Sequence, residues 1–167
     1  MAARAYSPAT SRRQVAGIFK EVDRDYGWKR GTRNADIGGG AWDEATKYLS
    51  KKGVENIIYD PGHRSAEWNA EALRCIIDGQ CDTAVVANVL NVIPEPASRE
   101  KVIALAANCL RDGGVAFFSV YEGHGDGRID ETRDGYQNNA KLIEYLPEIE
   151  PFFEDARVIG RRIEARK

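Results

Sequence analysis

Cysteine, long apolar runs and a surplus of charge of either sign are all lacking in this chain, and each lack narrows what it can be. The three cysteines, Cys75, Cys81 and Cys109, form neither a CxxC pair nor an even framework. They read as reduced, structural thiols, and the sequence offers no metal site. The longest apolar stretches, such as Thr83 to Leu90, fall far short of a bilayer span, so no membrane is expected. Met1-Ala2-Ala3-Arg4 has no apolar core of an export signal, which points to the cytoplasm. The formal net charge is −2, so no general pull toward nucleic acid is expected. No Gly-x-x-x-x-Gly-Lys-Ser/Thr occurs, which excludes a P-loop at the motif level.

What is present is the composition of an ordinary globular protein, 43% hydrophobic and 30% charged over 167 residues. That length suits one domain with a proper core, and we read residues 1–167 as such, with 1–30 as an N-terminal helical segment. Val15, Ile18, Phe19 and Val22 are spaced for an amphipathic helix within Ser7 to Asp25, packed on a sheet edge or roofing a ligand site. Apolar runs predict strands over 32–37, 56–60, 84–90 and 115–121, and helical patterns fall over 43–52, 65–77 and 96–110. Glu122 to Tyr136 is rich in Gly, Asp and Arg and reads as a long loop. Asn139 to Phe153 reads as mostly helical, and Arg157 to Ala165 as a last strand or hairpin around Gly160. The alternation predicts an α/β fold with a doubly wound, mostly parallel sheet, whose ligands sit at the carboxyl ends of the strands.

The densest signal is Asn34-Ala35-Asp36-Ile37-Gly38-Gly39-Gly40-Ala41-Trp42-Asp43, a strand end, a glycine turn and a helix start. Glycine lets backbone approach a ligand closely, and the helix behind it presents free N–H groups. Asp60 ends the next strand, about 20 residues on, where an acid can grip a ribose. A dinucleotide site would need a small residue where Asp43 stands. Asp36, two residues before the first glycine, is a poor neighbour for a pyrophosphate and a suitable one for an ammonium group. The ends of the strands also carry Asn88 to Asn91 and Tyr121 to His124, so distant segments converge on one crevice.

Acid-x-Gly-x-Gly with a strand-two acid resembles motif I and its partner in the class I S-adenosylmethionine-dependent methyltransferases. The resemblance runs from about Asn34 to the C-terminus. The segments Asp-Ile-Gly-Gly-Gly, Tyr-Asp-Pro, Asn-Val-Leu-Asn-Val-Ile and Gly-Tyr-Gln-Asn-Asn look like a compact methyltransferase-like group of phage and bacterial genomes. It implies a Rossmann-like methyltransferase sheet and S-adenosyl-L-methionine as cofactor. Gly38, Gly39 and Gly40 would pass under the methionine and ribose, Asp36 would orient the amino-acid end, and Asp60 would take the ribose hydroxyls. Only 21 residues separate Asp60 from Asp82. The pattern usually fits a helix, a strand and another helix there, so a shortened or missing third-strand region is expected.

For the chemistry, Asn88, Asn91, Tyr121 and His124 follow the fourth and fifth strands of that pattern and are the candidate catalytic residues. His124 could act as a base near neutral pH. Trp42, His63 and Asn88 are further candidates for cofactor contact, and Tyr136 and Gln137 for the acceptor pocket. Asn138 or Asn139 would cap the following helix. There is no Asp/Asn-Pro-Pro-Tyr/Phe tetrapeptide and no Pro-Cys pair, so neither exocyclic-amine nor cytosine-C5 chemistry on DNA is supported. Arg157, Arg161, Arg162, Arg166 and Lys167 form a basic C-terminus, with Lys29, Arg30 and Arg33 as a second cluster. The acidic 126–134 loop argues against a continuous basic groove, so nucleic acid is not favoured and a small or short exposed acceptor is expected. The rivals are a non-catalytic cofactor-binding or interaction module and a small nicotinamide-dependent oxidoreductase.

Overall fold

The structure, a computed structural model, describes residues 13–132 and 135–167. Helix α1 (Gly17–Asp25) buries Ile18, Phe19 and Val22 on one stripe. The first part of the helix expected from Ser7, and residues 133–134 of the expected loop, lie outside the described residues. The chain then alternates through β1 (Arg33–Ile37), α2 (Glu44–Ser50), β2 (Glu55–Tyr59), α3 (Ala66–Ile76), β3 (Cys81–Ala87), α4 (Pro96–Asn108) and β4 (Leu110–Ser119). Ser65 caps α3 by accepting from the Trp68 N–H, and Pro96 opens α4 at a position where its missing N–H costs nothing.

Six strands form one sheet in the order β2-β1-β3-β4-β8-β7, with β7 (Asp155–Ile159) and β8 (Arg162–Arg166) closing it as an antiparallel hairpin. The inner pairs β1–β2, β1–β3 and β3–β4 are parallel. Among the described residues no strand lies outside β2. The chain returns from it through α3 straight to the centre of the sheet, so the third-strand region is missing, as the short spacing implied. The exposed edge is partly covered: the Trp68 indole N–H donates to the Ile58 carbonyl at 2.8 Å.

Two apolar layers sandwich the sheet. On one face α1 and α2 bring Phe19, Val22 and Leu49 against Trp28, Val85 and Phe117. On the other, Ile76, Ile103, Ala106 and Ile149 cover Ala84, Val86, Phe118 and Ile163. Adjacent residues of one strand thus serve opposite layers, the two-residue period of a strand buried on both faces.

Four expectations change. The segment read as a long loop folds into a small antiparallel hairpin, β5 (Ile129–Thr132) and β6 (Gly135–Asn138), paired from Ile129↔Asn138 to Thr132↔Gly135. Its polar residues hide the apolar alternation by which strands are recognised. The helix expected after Asn139 is broken into a 3-10 turn (Leu142–Tyr145), a one-turn α5 (Leu146–Ile149) and another 3-10 turn (Glu150–Phe152), with Pro147 and Pro151 interrupting its N–H ladder. Asn138 makes an Asx-type turn to the Ala140 N–H instead of capping a helix. Strand β3 ends at Ala87, and Leu90 belongs to a 3-10 turn (Leu90–Val92).

Candidate cofactor-binding site

The parallel register brings Asp36 of β1 beside Ile58 of β2 and Val85 of β3, so the loops after all three strands open on one side. They enclose a cavity of about 750 Å³, lined by Asp36, Gly38, Gly39, Gly40, Trp42, Asp60, His63, Asn88 and Asn91 among others. Tyr121 after β4 and Gln137 of the small hairpin complete the same wall. His124 and Tyr136 do not line it. His124 lies exposed in the turn before β5, and Tyr136 lies near Arg99 and Tyr145.

The glycine turn is shaped by its neighbours. Gly38 has φ +76°, and a Cβ there would run into the Val89 side chain. A Cβ on Gly39 would stand 2.7 Å from the Asp36 carboxyl. Any side chain at either position would therefore fill the ground between β1 and β3. Gly38 donates its N–H to the Tyr59 carbonyl at 2.7 Å, and Gly40 donates to Asp60 Oδ2 at 2.8 Å. Arg64 adds a further tie, Nε to the Gly40 carbonyl at 2.8 Å and Nη2 to Asp43 Oδ1 at 2.7 Å. The loops after β1 and β2 are thus fastened to each other as well as to their strands. Asp43, read as the residue spoiling a dinucleotide motif, is the anchor of that arginine.

Asp60 is the most heavily engaged side chain of the site. Its Oδ1 accepts from the Gly62 and His63 backbone N–H groups at 2.9 and 3.0 Å. The His63 ring sets Nδ1 at 3.1 and 3.2 Å from both carboxylate oxygens. Asn69 fixes the backbone of the same residue: its Oδ1 accepts from the Asp60 N–H at 2.8 Å, and its Nδ2 donates to the Asp60 carbonyl at 3.1 Å. Asn69 and Arg64 were not singled out in the sequence. The only trace is that Asn69 occupies a core-facing position of a helix otherwise sealed by Ala72 and Ile76.

Asp36 is different. It is 1% exposed, and the one hydrogen bond of its carboxyl among the described residues is a long one, from Asn56 Nδ2 at 3.3 Å. Burial lifts its pKa from 3.8 to about 7, the negative Asp60 adds to the rise, and Asn56 and Arg64 oppose it. A carboxyl with that value favours a cationic partner.

At the end of β3, Asn88 adopts φ 57°, the left-handed conformation that asparagine tolerates best after glycine, and donates its N–H to the Ser119 carbonyl at 2.8 Å. This turns the chain so that Asn88 stands exposed in the cavity while Asn91 is buried. Asn91 Nδ2 donates to Gln137 Oε1 at 2.9 Å, and Gln137 Nε2 donates to the Tyr121 carbonyl at 2.9 Å. Three residues predicted from separate segments thus form one chain of bonds. Asn91 Oδ1 and the Tyr145 hydroxyl are buried without a protein partner among the described residues.

No protein-family model matches the chain, and no curated protein matches it. Solved structures do. The Burkholderia thailandensis 1,6-didemethyltoxoflavin-N1-methyltransferase, crystallised with 1,6-didemethyltoxoflavin and S-adenosylhomocysteine, superposes with TM-score 0.66 and 19% identity over 90% of this chain and 76% of its own. A T. thermophilus 16S rRNA methyltransferase in complex with AdoMet and guanosine gives 0.59 and 18% over 95% of this chain and 45% of its own. The cyclase SpnF gives 0.57 and 13% over 92% of this chain and 66% of its own. The chain therefore spans less than half of the rRNA enzyme and about two thirds of the cyclase. At these identities the likeness defines the architecture: this chain has the Rossmann-like methyltransferase fold.

Proposed function

We propose that this chain is a minimal S-adenosylmethionine-dependent methyltransferase acting in the cytoplasm on a small or short exposed acceptor, of the compact kind found in phage and bacterial genomes. One observation carries it: a single cavity at the strand ends gathers a buried carboxyl, a glycine turn too tight for any side chain, and a second carboxylate after the next strand. The cofactor, when bound, supplies a methyl group on an electrophilic sulfonium.

The protein's own part is to hold and align. Asp36 faces the ammonium of the amino-acid end, which relieves the cost of ionising a carboxyl in a dry site. Gly38 to Gly40 let the methionine chain lie on backbone. Asp60 would hold the ribose diol once the His63 ring, which now meets both of its carboxylate oxygens, swings aside. Asn88, Asn91, Tyr121 and Gln137 face the acceptor and orient its nucleophilic atom. Calorimetry with S-adenosylmethionine, S-adenosylhomocysteine and NAD tests this. We expect both sulfur compounds to bind below millimolar concentration and NAD not to; no binding of either sulfur compound refutes the proposal.

A second reading, a non-catalytic interaction module, is favoured by the way Gly40, Gly62 and His63 already occupy Asp60. It expects Asp60 to hold the loops and no cofactor to compete for it. The same titration separates the two.

A further inference from the structure

The proposed cofactor has one large part with no seat so far, its purine. Among the described residues no strand lies outside β2, so on that side the described wall ends at the Pro61 to His63 loop. The same cavity extends the other way, onto α4. Ser98, Lys101, Val102 and Leu105 line it, at the spacing of one face of a helix. Val102 and Leu105 are half-buried hydrophobics on the margin of the core, together with Val89 and Tyr59. That is an apolar floor continuous with the glycine turn, since Val89 is also the residue packed against Gly38.

Ser98 and Lys101 form the polar rim. Neither side chain makes a hydrogen bond or ion pair among the described residues. The opposite side of α4 is firmly placed: Ile103 and Ala106 are fully buried, and Arg99 binds Glu148 through two bonds at 2.8 and 2.7 Å. Arg99 also ties the start of the helix to the Ile93 and Pro94 carbonyls. A flat heteroaromatic ring needs an apolar face to lie on and a few fixed polar groups at its edge, and this face offers both.

We propose that α4 is the purine seat: the adenine lies over Val89, Val102 and Leu105, with its polar edge on Ser98 Oγ and Lys101 Nζ. The inference rests on the cofactor assignment above. Lys101 can only donate, so it meets a ring nitrogen; Ser98 can accept from the exocyclic amine. The amino-acid end then lies at Asp36, the ribose at Asp60 and the base on α4, and the helix does the work left undone by the missing strand.

The test is calorimetry with S-adenosylhomocysteine on the wild type, the double variant Ser98→Ala/Lys101→Met and Asp60→Ala, alongside backbone amide NMR of the wild type. Lys101 is exposed and Ser98 half-buried, and neither side chain bonds to another, so the thermal midpoint should hold. The expected result is a loss of about tenfold or more in affinity for the double variant, with amide shifts over Ser98 to Leu105 on titration. An unchanged affinity in the double variant and silent α4 amides, while Asp60→Ala weakens binding, would overturn the purine seat and leave the cofactor assignment standing. Absence of binding to the wild type would remove both.

Discussion

At the scale of single residues the site holds two carboxylates in opposite conditions. Asp36 is dry and almost without donors, whereas Asp60 is surrounded by them. For Asp36 the raised pKa means that its neutral form stabilises the fold. That contribution is complete below pH 3.8 and is lost as pH rises through about 7. Asp36→Asn should therefore gain on the wild type as pH rises from about 4 to about 7 and keep a constant lead above that. The lead is on the order of 4 kcal/mol at most, read from urea midpoints. Cofactor affinity should move the other way in the wild type, falling up to about tenfold per pH unit below pH ~7 as the ammonium's partner is neutralised. For Asp60, replacement by alanine should weaken cofactor binding by about 1.5–3 kcal/mol. Unchanged affinity in calorimetry would reject its role. If the ribose displaces the His63 ring, His63→Ala binds no worse than the wild type and up to about tenfold tighter, the worth of one released hydrogen bond.

At the scale of elements, side chains far from any ligand fix the loops that matter. Arg99 clamps the turn before α4 to α5 through Glu148. Arg99→Ala should cost about 1.5–3 kcal/mol in denaturant unfolding, because charged bonds are lost in a mostly buried place. The sequence showed this level unevenly. Strands β1 to β4 were legible because apolar runs bounded by glycine and acid have few other uses. The two acids of the site were legible because each ends such a run. Arg64 and Asn69 were not, because their partners are backbone groups of other loops, brought near only by the parallel register. The β5–β6 hairpin was missed for a related reason: no residue of Ile129 to Glu131 or of Gly135 to Asn138 is buried, so no apolar alternation marks either strand.

At the scale of the molecule, a parallel sheet is left with a bare outer strand. Trp68 is the residue that manages it, 46% exposed yet bonded to the Ile58 carbonyl and stacked under the Arg64 guanidinium at 4.5 Å. Trp68→Ala uncovers that carbonyl and removes the arginine's support. Light scattering should show a growing oligomer fraction on warming, and the cofactor should bind more weakly because Arg64 no longer holds the glycine turn.

The bare edge also bears on how the chain finds its fold. The central pairing of β1 with β3 joins Asn34 to Thr83, whose side chains bond at 2.8 Å across a sequence gap of 49 residues. A further helix and strand beyond β2 would lengthen that gap by about half, and each doubling of a closed loop costs about 0.6 kcal/mol of chain entropy. A sheet without that outer unit keeps this central closure short. A short path between β1 and β3 lets the two middle strands meet early.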